Sequence, residues 1–209
     1  MDRYDDAADF WDAKYANEAY HFGTAPNAFL AAQAHRLQPG WRALAVADGE
    51  GRNGVWLAER GLQVDALEIS PRAIEKARAL AESRGVAGRY AARRADLADC
   101  DLDRGTYDLV AAIFIQFAPP EMRADLFRRL QAALAPGGLL LLQGYRPEQV
   151  ELGTGGPPNP DHMYTERLLR DAFAGLDILQ LRAHDDTIAE GRGHDGLSAL
   201  IDLVARKPA

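Results

Sequence analysis

The chain has 209 residues, of which 47% are hydrophobic and 26% charged, and a net charge of −7. That size buries a full core without metals or disulfides, and the acidic balance disfavours nucleic acid as a partner, local basic patches at Arg89, Arg93 and Arg94 and at Arg123, Arg128 and Arg129 notwithstanding. A single cysteine, Cys100, forbids an internal disulfide; no apolar run is long enough to cross a bilayer, and the acidic start has no secretory h-region, so the expectation is a soluble cytoplasmic protein without a membrane partner.

Residues 5–18, with Phe10, Trp11 and Tyr15, suit a short amphipathic helix, and Phe10, Trp11, Trp41 and Trp56 read as core. Residues 20–27 (YHFGTAPN) form a turn-rich linker. Asn27 is an N-cap for a helix to about Leu37, which Pro39-Gly40 breaks. Residues 43–47 (ALAVA) read as a strand buried on both faces. A glycine-rich turn follows, then a helix over 52–60 and a second strand over 63–69. Ser70-Pro71 opens a helix to about Ser83, ended by Gly85. Strands are expected over 89–95 and 107–114, a helix over 119–134, a break at Pro136-Gly137-Gly138 and a strand over 139–143.

Residues 148–161 hold so many glycines and prolines that a long irregular loop is expected, and such loops are often functional. A helix over 165–173 and strands over 176–183 and 198–207 complete the chain. Alternation of strand and helix, closing on two consecutive strands, gives a doubly wound α/β fold. The sum is a mostly parallel seven-stranded sheet with one antiparallel edge strand. Residues 1–40 form a helical cap or lid, and residues 41–209 form the main domain.

The turn Asp48-Gly49-Glu50-Gly51-Arg52 between the first strand and its helix lets a ligand approach the main chain. Glu68, about 20 residues on at the end of the second strand, sits where a carboxylate grips a ribose diol. Dinucleotides and S-adenosylmethionine both use this geometry. Asp48 and Glu50 oppose a pyrophosphate but tolerate a cationic sulfonium, which favours S-adenosylmethionine. An NAD-dependent oxidoreductase and a non-catalytic S-adenosylmethionine-binding module are the alternatives. The five histidines show no i, i+4 pair and there is no Cys-x-x-Cys, so no metal site is legible.

Taken in order, Phe10-Trp11-Asp12, Tyr15, Tyr20, Gly23, Pro26-Asn27, Gly49-Glu50-Gly51-Arg52-Asn53, Glu68-Ile69-Ser70, Asp96-Leu97, Tyr107-Asp108-Leu109-Val110, Pro136-Gly137-Gly138 and Glu190-Gly191…His194…Gly196 form a pattern. It resembles the class I S-adenosylmethionine-dependent methyltransferases, and within them small bacterial enzymes related to the tellurite-resistance and thiopurine methyltransferases. The resemblance implies a Rossmann-like fold and methyl transfer to a small-molecule acceptor, including soft thiol, selenium or tellurium species. It implies that Gly49, Glu50 and Gly51 meet the methionine part of the cofactor and Arg52 its carboxylate. Glu68 holds the ribose, Ile69 packs on the adenine, Asp96 and Leu97 N–H read its edge, and Ile113 and Phe114 line the methyl-donor end. The sequence departs from the family at Ala45, where an acidic residue is usual, and at Ala47, where glycine is usual; Asp48 is a candidate to compensate.

For the acceptor, Tyr20, Gln116 and His194 are the expected catalytic residues, with His21, Phe22, Phe117, Tyr145 and Arg146 as further neighbours. All lie in linkers or beyond strand ends, where loops carry function. His35 and His162 read as surface or capping residues, and His184 as a strand end. The protein is expected to be a monomer or homodimer.

Overall fold

The computed structural model describes residues 7–209; the start of the helix expected from residue 5 lies outside the described residues. Contacts divide the chain into the units Met1–Cys100 and Asp101–Ala209. Seven strands form one sheet in the order β3-β2-β1-β4-β5-β7-β6.

In the first unit, α1 (Ala7–Lys14) and α2 (Ala28–Ala32) precede β1 (Arg42–Val46), α3 (Arg52–Glu59), β2 (Gln63–Glu68), α4 (Pro71–Ser83) and β3 (Tyr90–Arg94). β1 and β3 each pair in parallel with β2. Side-chain caps start the helices as expected: Asn27 Oδ1 accepts from Leu30 N–H, and Ser70 Oγ accepts from Ala73 N–H. Leu44, Leu57, Leu62 and Leu67 are wholly buried. The aromatic residues expected in the core lie elsewhere. Phe10 is 61% exposed, and Trp11, Trp41 and Trp56 are half-buried. For Phe10 and Trp11 the reason is that α1 docks by polar contacts: Asp12 accepts from Ser70 Oγ (2.7 Å), Arg72 N (3.0 Å) and Arg72 Nε (2.8 Å).

The second unit holds β4 (Tyr107–Ile113), α5 (Pro120–Ala133), β5 (Leu134–Tyr145), α6 (Gln149–Leu152), α7 (Glu166–Ala172), β6 (Asp177–Ala189) and β7 (Asp195–Arg206). β4 and β5 are parallel, while β7 runs antiparallel to both β5 and β6. The reversed strand is therefore β7, one place in from the edge, and β6 is the edge. α5 ends ahead of Pro136-Gly137-Gly138, as expected, but β5 starts before these residues and continues through them rather than beginning at 139. Gly137 takes φ 78, and Lys207 exchanges main-chain bonds with Gly137 and Gly138, so the irregular stretch stays paired. The final hairpin is also longer than expected, since pairing runs to Ala189 opposite Asp195. His184 sits within β6, its Nε2 2.9 Å from Asp202 Oδ2. The glycine- and proline-rich stretch contains the short α6, whose buried Gln149 accepts from Ala199 N–H (2.8 Å). No helix among the described residues is long and apolar enough to cross a membrane.

Candidate active site

The turn after β1 and the end of β2 meet through Glu68. Its Oε2 accepts from Gly49 N–H (2.9 Å), and its Oε1 accepts from Ile69 N–H (2.9 Å) and Ser70 N–H (3.0 Å). Burial raises its carboxyl above the ordinary range, against the pull of the Ser70, Gly49 and Ile69 N–H groups. This is an anchored, buried carboxylate at a strand end. Ile69 beside it is half-buried.

Each residue of the turn has a visible task. Ala47 holds φ 49. This is the position where the family resemblance implies glycine, and an L-residue in this conformation costs about 1–2 kcal/mol. Ala47→Gly should therefore leave stability unchanged or raise it by about 1 kcal/mol, after the flexibility that glycine adds to the unfolded chain. Ala47→Val should lower it; urea denaturation of the two variants reads the difference. Gly51 caps α3 at φ 90, and a Cβ there would meet Ala77 Cβ at 2.8 Å. Beside Gly49 stands Tyr15, whose hydroxyl would lie 3.0 Å from an added Cβ. Burial pushes the Tyr15 hydroxyl well above its usual range.

Asp48, the candidate to compensate for the acidic residue missing at Ala45, is buried. Its Oδ1 accepts from Gly54 N–H (2.9 Å) and its Oδ2 from Tyr90 O–H (2.8 Å). Burial pushes it up to about 7, against these two donors. The folded state thus keeps a proton that the unfolded chain releases near pH ~4. Stability contributed by Asp48 is greatest below that pH and falls as pH rises through about 7. Melting temperatures of Asp48→Asn should show a flatter dependence than wild type between about pH 5 and about pH 8, a change that a carboxylate already ionised at about pH 5 would not produce.

Glu50 faces the N-terminal linker. It accepts from His21 N–H (2.6 Å) and forms a buried ion pair with Lys76. Lys76 Nζ also donates to Asn17 O and Ala19 O, both at 2.9 Å, and Lys76 O accepts from Tyr20 O–H at 3.1 Å. Tyr20 and Glu50 are thereby fasteners of residues 17–21. Asn53 completes the anchorage, its Oδ1 accepting from Asn27 N–H (2.9 Å). Lys76 was invisible as a site residue in sequence, since it lies in no motif, and Asn53, although part of the glycine-turn motif, carried no expected role. Arg52 is buried in the first turn of α3. Asp96 is half-buried, its Oδ1 accepting from Ala98 N–H (2.8 Å), and Leu97 is buried.

In the second unit, Ile113 ends β4 and Phe114 follows at φ 55. A bulky residue in that region is a strained outlier of the kind that clusters at functional sites. The Phe114 ring stacks on His194, centroids 4.2 Å apart. Tyr145 joins them, its Oη 2.5 Å from His194 Nδ1. Gln116, expected to act on the acceptor, instead spends both ends of its amide on Tyr145: Nε2 donates to Tyr145 O (2.8 Å) and Oε1 accepts from Tyr145 N–H (2.5 Å). The side chain of His194 lies against Phe114 and Tyr145, whereas the Tyr20 hydroxyl and the Gln116 amide bond to main chain.

Residues 43–138 match the family model described as Methyltransferase domain. A thiopurine S-methyltransferase from Azotobacter vinelandii (strain DJ / ATCC BAA-1303) is 32% identical over 174 residues, covering 72% of this chain and 75% of its own. A solved structure reported for the conversion of a disulfide bond into a thioacetal group during echinomycin biosynthesis matches with a TM-score of 0.78 at 20% identity, over 96% of this chain and 91% of that one. TehB from Haemophilus influenzae matches with a TM-score of 0.71 at 16% identity, over 96% of this chain and 66% of its own. At those identities the two structures bear on the fold alone.

Proposed function

Because the chain belongs to the S-adenosylmethionine-dependent methyltransferases, in the family of the thiopurine S-methyltransferases, we propose that its small-molecule acceptor is a soft nucleophile: a thiol, or a selenium or tellurium species. The observation that carries the cofactor half is the Glu68 carboxylate fixed 2.9 Å from Gly49 N–H. It sets an acidic group for a ribose diol against the turn that would receive the methionine part. The residues present fit the cofactor: Gly49, Gly51 and Arg52 at the turn, Glu68 and Ile69 at the nucleoside, and Asp96 and Leu97 at the adenine edge. Glu50 supports the turn from behind through Lys76 rather than by touching the ligand. When bound, S-adenosylmethionine supplies a methyl carbon on a cationic sulfur that leaves as a neutral thioether.

The protein's part is to orient the acceptor, exclude water and manage its proton. A soft acceptor needs little help from a base, which suits a site where the polar groups of Tyr20 and Gln116 are committed to main chain. These two are positioning residues for the linker and for Tyr145. His194 is the residue that serves the acceptor, with Ile113 and Phe114 lining the methyl-donor end. The sulfur acceptor named for the relatives supports the same class here. The acidic surface and lone cysteine support a cytoplasmic monomer or homodimer acting without nucleic acid.

The test is to incubate the enzyme with methyl-labelled cofactor and matched sets of thiols, phenols and amines, together with selenite and tellurite. Label should pass to the thiols or the chalcogen oxyanions. Transfer only to phenols or amines would overturn the soft-acceptor reading.

A further inference from the structure

Tyr145 and His194 form a buried pair that no element of cofactor binding explains. Tyr145 is 1% exposed and His194 8%. Several devices hold the two together. Gln116 clamps the Tyr145 main chain from both sides. Phe114 lies against both rings, 4.7 Å from Tyr145 and 4.2 Å from His194, the latter inclined by 21°. Residues 153–156 close over the pair so tightly that a Cβ on Gly156 would meet the Tyr145 ring at 2.8 Å. A Cβ on Gly155 would meet its hydroxyl at 2.9 Å. Gly155 also bridges to His194 through main chain, and Gln149 Nε2 ties this loop down by donating to Thr154 Oγ1 (2.9 Å). A fold that served packing alone would put a phenylalanine at Tyr145, since the aromatic contacts need no hydroxyl. With Nδ1–H donating to the Tyr145 hydroxyl, Nε2 is left as the basic nitrogen of the ring, and the bond sets how the ring is turned.

We propose that Tyr145 is a positioning residue for proton transfer: it fixes the His194 imidazole so that the ring takes the proton of a protic acceptor such as a thiol. This rests on the reading that His194 serves the acceptor. In the step, the S–H proton passes to the imidazole, which becomes imidazolium and later returns the proton to water. The electron pair left on sulfur forms the new bond to the methyl carbon, as that carbon's bond to the sulfonium breaks and its electrons stay with the departing thioether.

The test combines ring-nitrogen NMR with two thiol probes, an aryl thiol already ionised at the assay pH and an alkyl thiol protonated there. His194→Gln identifies the His194 signals by their loss. Tyr145→Phe should change the tautomer signature of His194 and lower kcat about tenfold for the alkyl thiol, but less than about twofold for the aryl thiol, with KM nearly constant. Unchanged ring signals in Tyr145→Phe, or equal losses on both thiols, would overturn the proposal and leave Tyr145 a packing residue. If His194→Gln shows the selective loss and Tyr145→Phe does not, the role of Tyr145 falls and that of His194 stands. If neither variant differs from wild type on either thiol, the reading of His194 itself falls. Should wild type methylate neither thiol, the thiol acceptor falls and the proton-transfer proposal falls with it.

Discussion

Replacing His194 by alanine should lower turnover about a hundredfold on a protonated acceptor, the lower end of what general acid–base groups supply. Affinity for S-adenosylhomocysteine should stay within about twofold of wild type, because the bonds of Glu68 to Gly49, Ile69 and Ser70 do not involve His194. The truncation also leaves the Tyr145 hydroxyl without its partner at Nδ1 and removes the ring stacked on Phe114. Some loss of stability is expected as well, so turnover and product affinity must be measured well below the melting temperature of the variant. Unchanged turnover on a verified protic acceptor would show that the imidazole takes no part in the reaction.

Glu68→Ala should have the largest effect on the cofactor. The carboxylate accepts three main-chain N–H groups, from Gly49, Ile69 and Ser70. Each donor stranded in a buried place costs about 1–3 kcal/mol, less where water enters the space left behind. Stability should fall by about 2–4 kcal/mol. Affinity for S-adenosylhomocysteine should fall at least about thirtyfold, since both the ribose acceptor and the shape of the turn go together. Glu68→Gln separates the two contributions. It keeps an acceptor for one side of the cluster but turns an amide donor towards the N–H groups on the other, so it should recover part of the stability and little of the affinity. A variant that melts early yet binds as wild type would make Glu68 a purely structural residue.

The fold was legible because its signals are local. The apolar runs over 43–47 and 109–113 mark β1 and β4, Ser70-Pro71 starts α4, and the turn from Asp48 with Glu68 some 20 residues later marks a nucleoside-binding crevice. What escaped was set by distant partners. β5 runs through a Pro-Gly-Gly sequence because Lys207 supplies main-chain pairing from the other end of the unit. α1 leaves Phe10 exposed because Asp12, not an apolar stripe, docks it on α4.

The site divides in the same way. Glu68 is at the expected strand end, and the stacking of Phe114 on His194 joins two expected residues that lie 80 positions apart. Glu50, Tyr20 and Gln116 are equally polar in sequence, and nothing local says that their hydrogen bonds go to main chain. Lys76 carries no motif at all, yet it gathers Asn17, Ala19 and Glu50. Tyr145 was legible only as a residue past a strand end. Its bond to His194 depends on the hairpin and on glycines at 155 and 156, which admit the ring beneath them.

Titration calorimetry of the wild-type protein with S-adenosylhomocysteine and, separately, with NAD asks whether the crevice at Gly49 and Glu68 holds a sulfur-linked nucleoside. One S-adenosylhomocysteine should bind per chain with a Kd of about 1–100 μM, with no heat from NAD. Silence at about millimolar S-adenosylhomocysteine, or saturable binding of NAD instead, would contradict the assignment of this crevice.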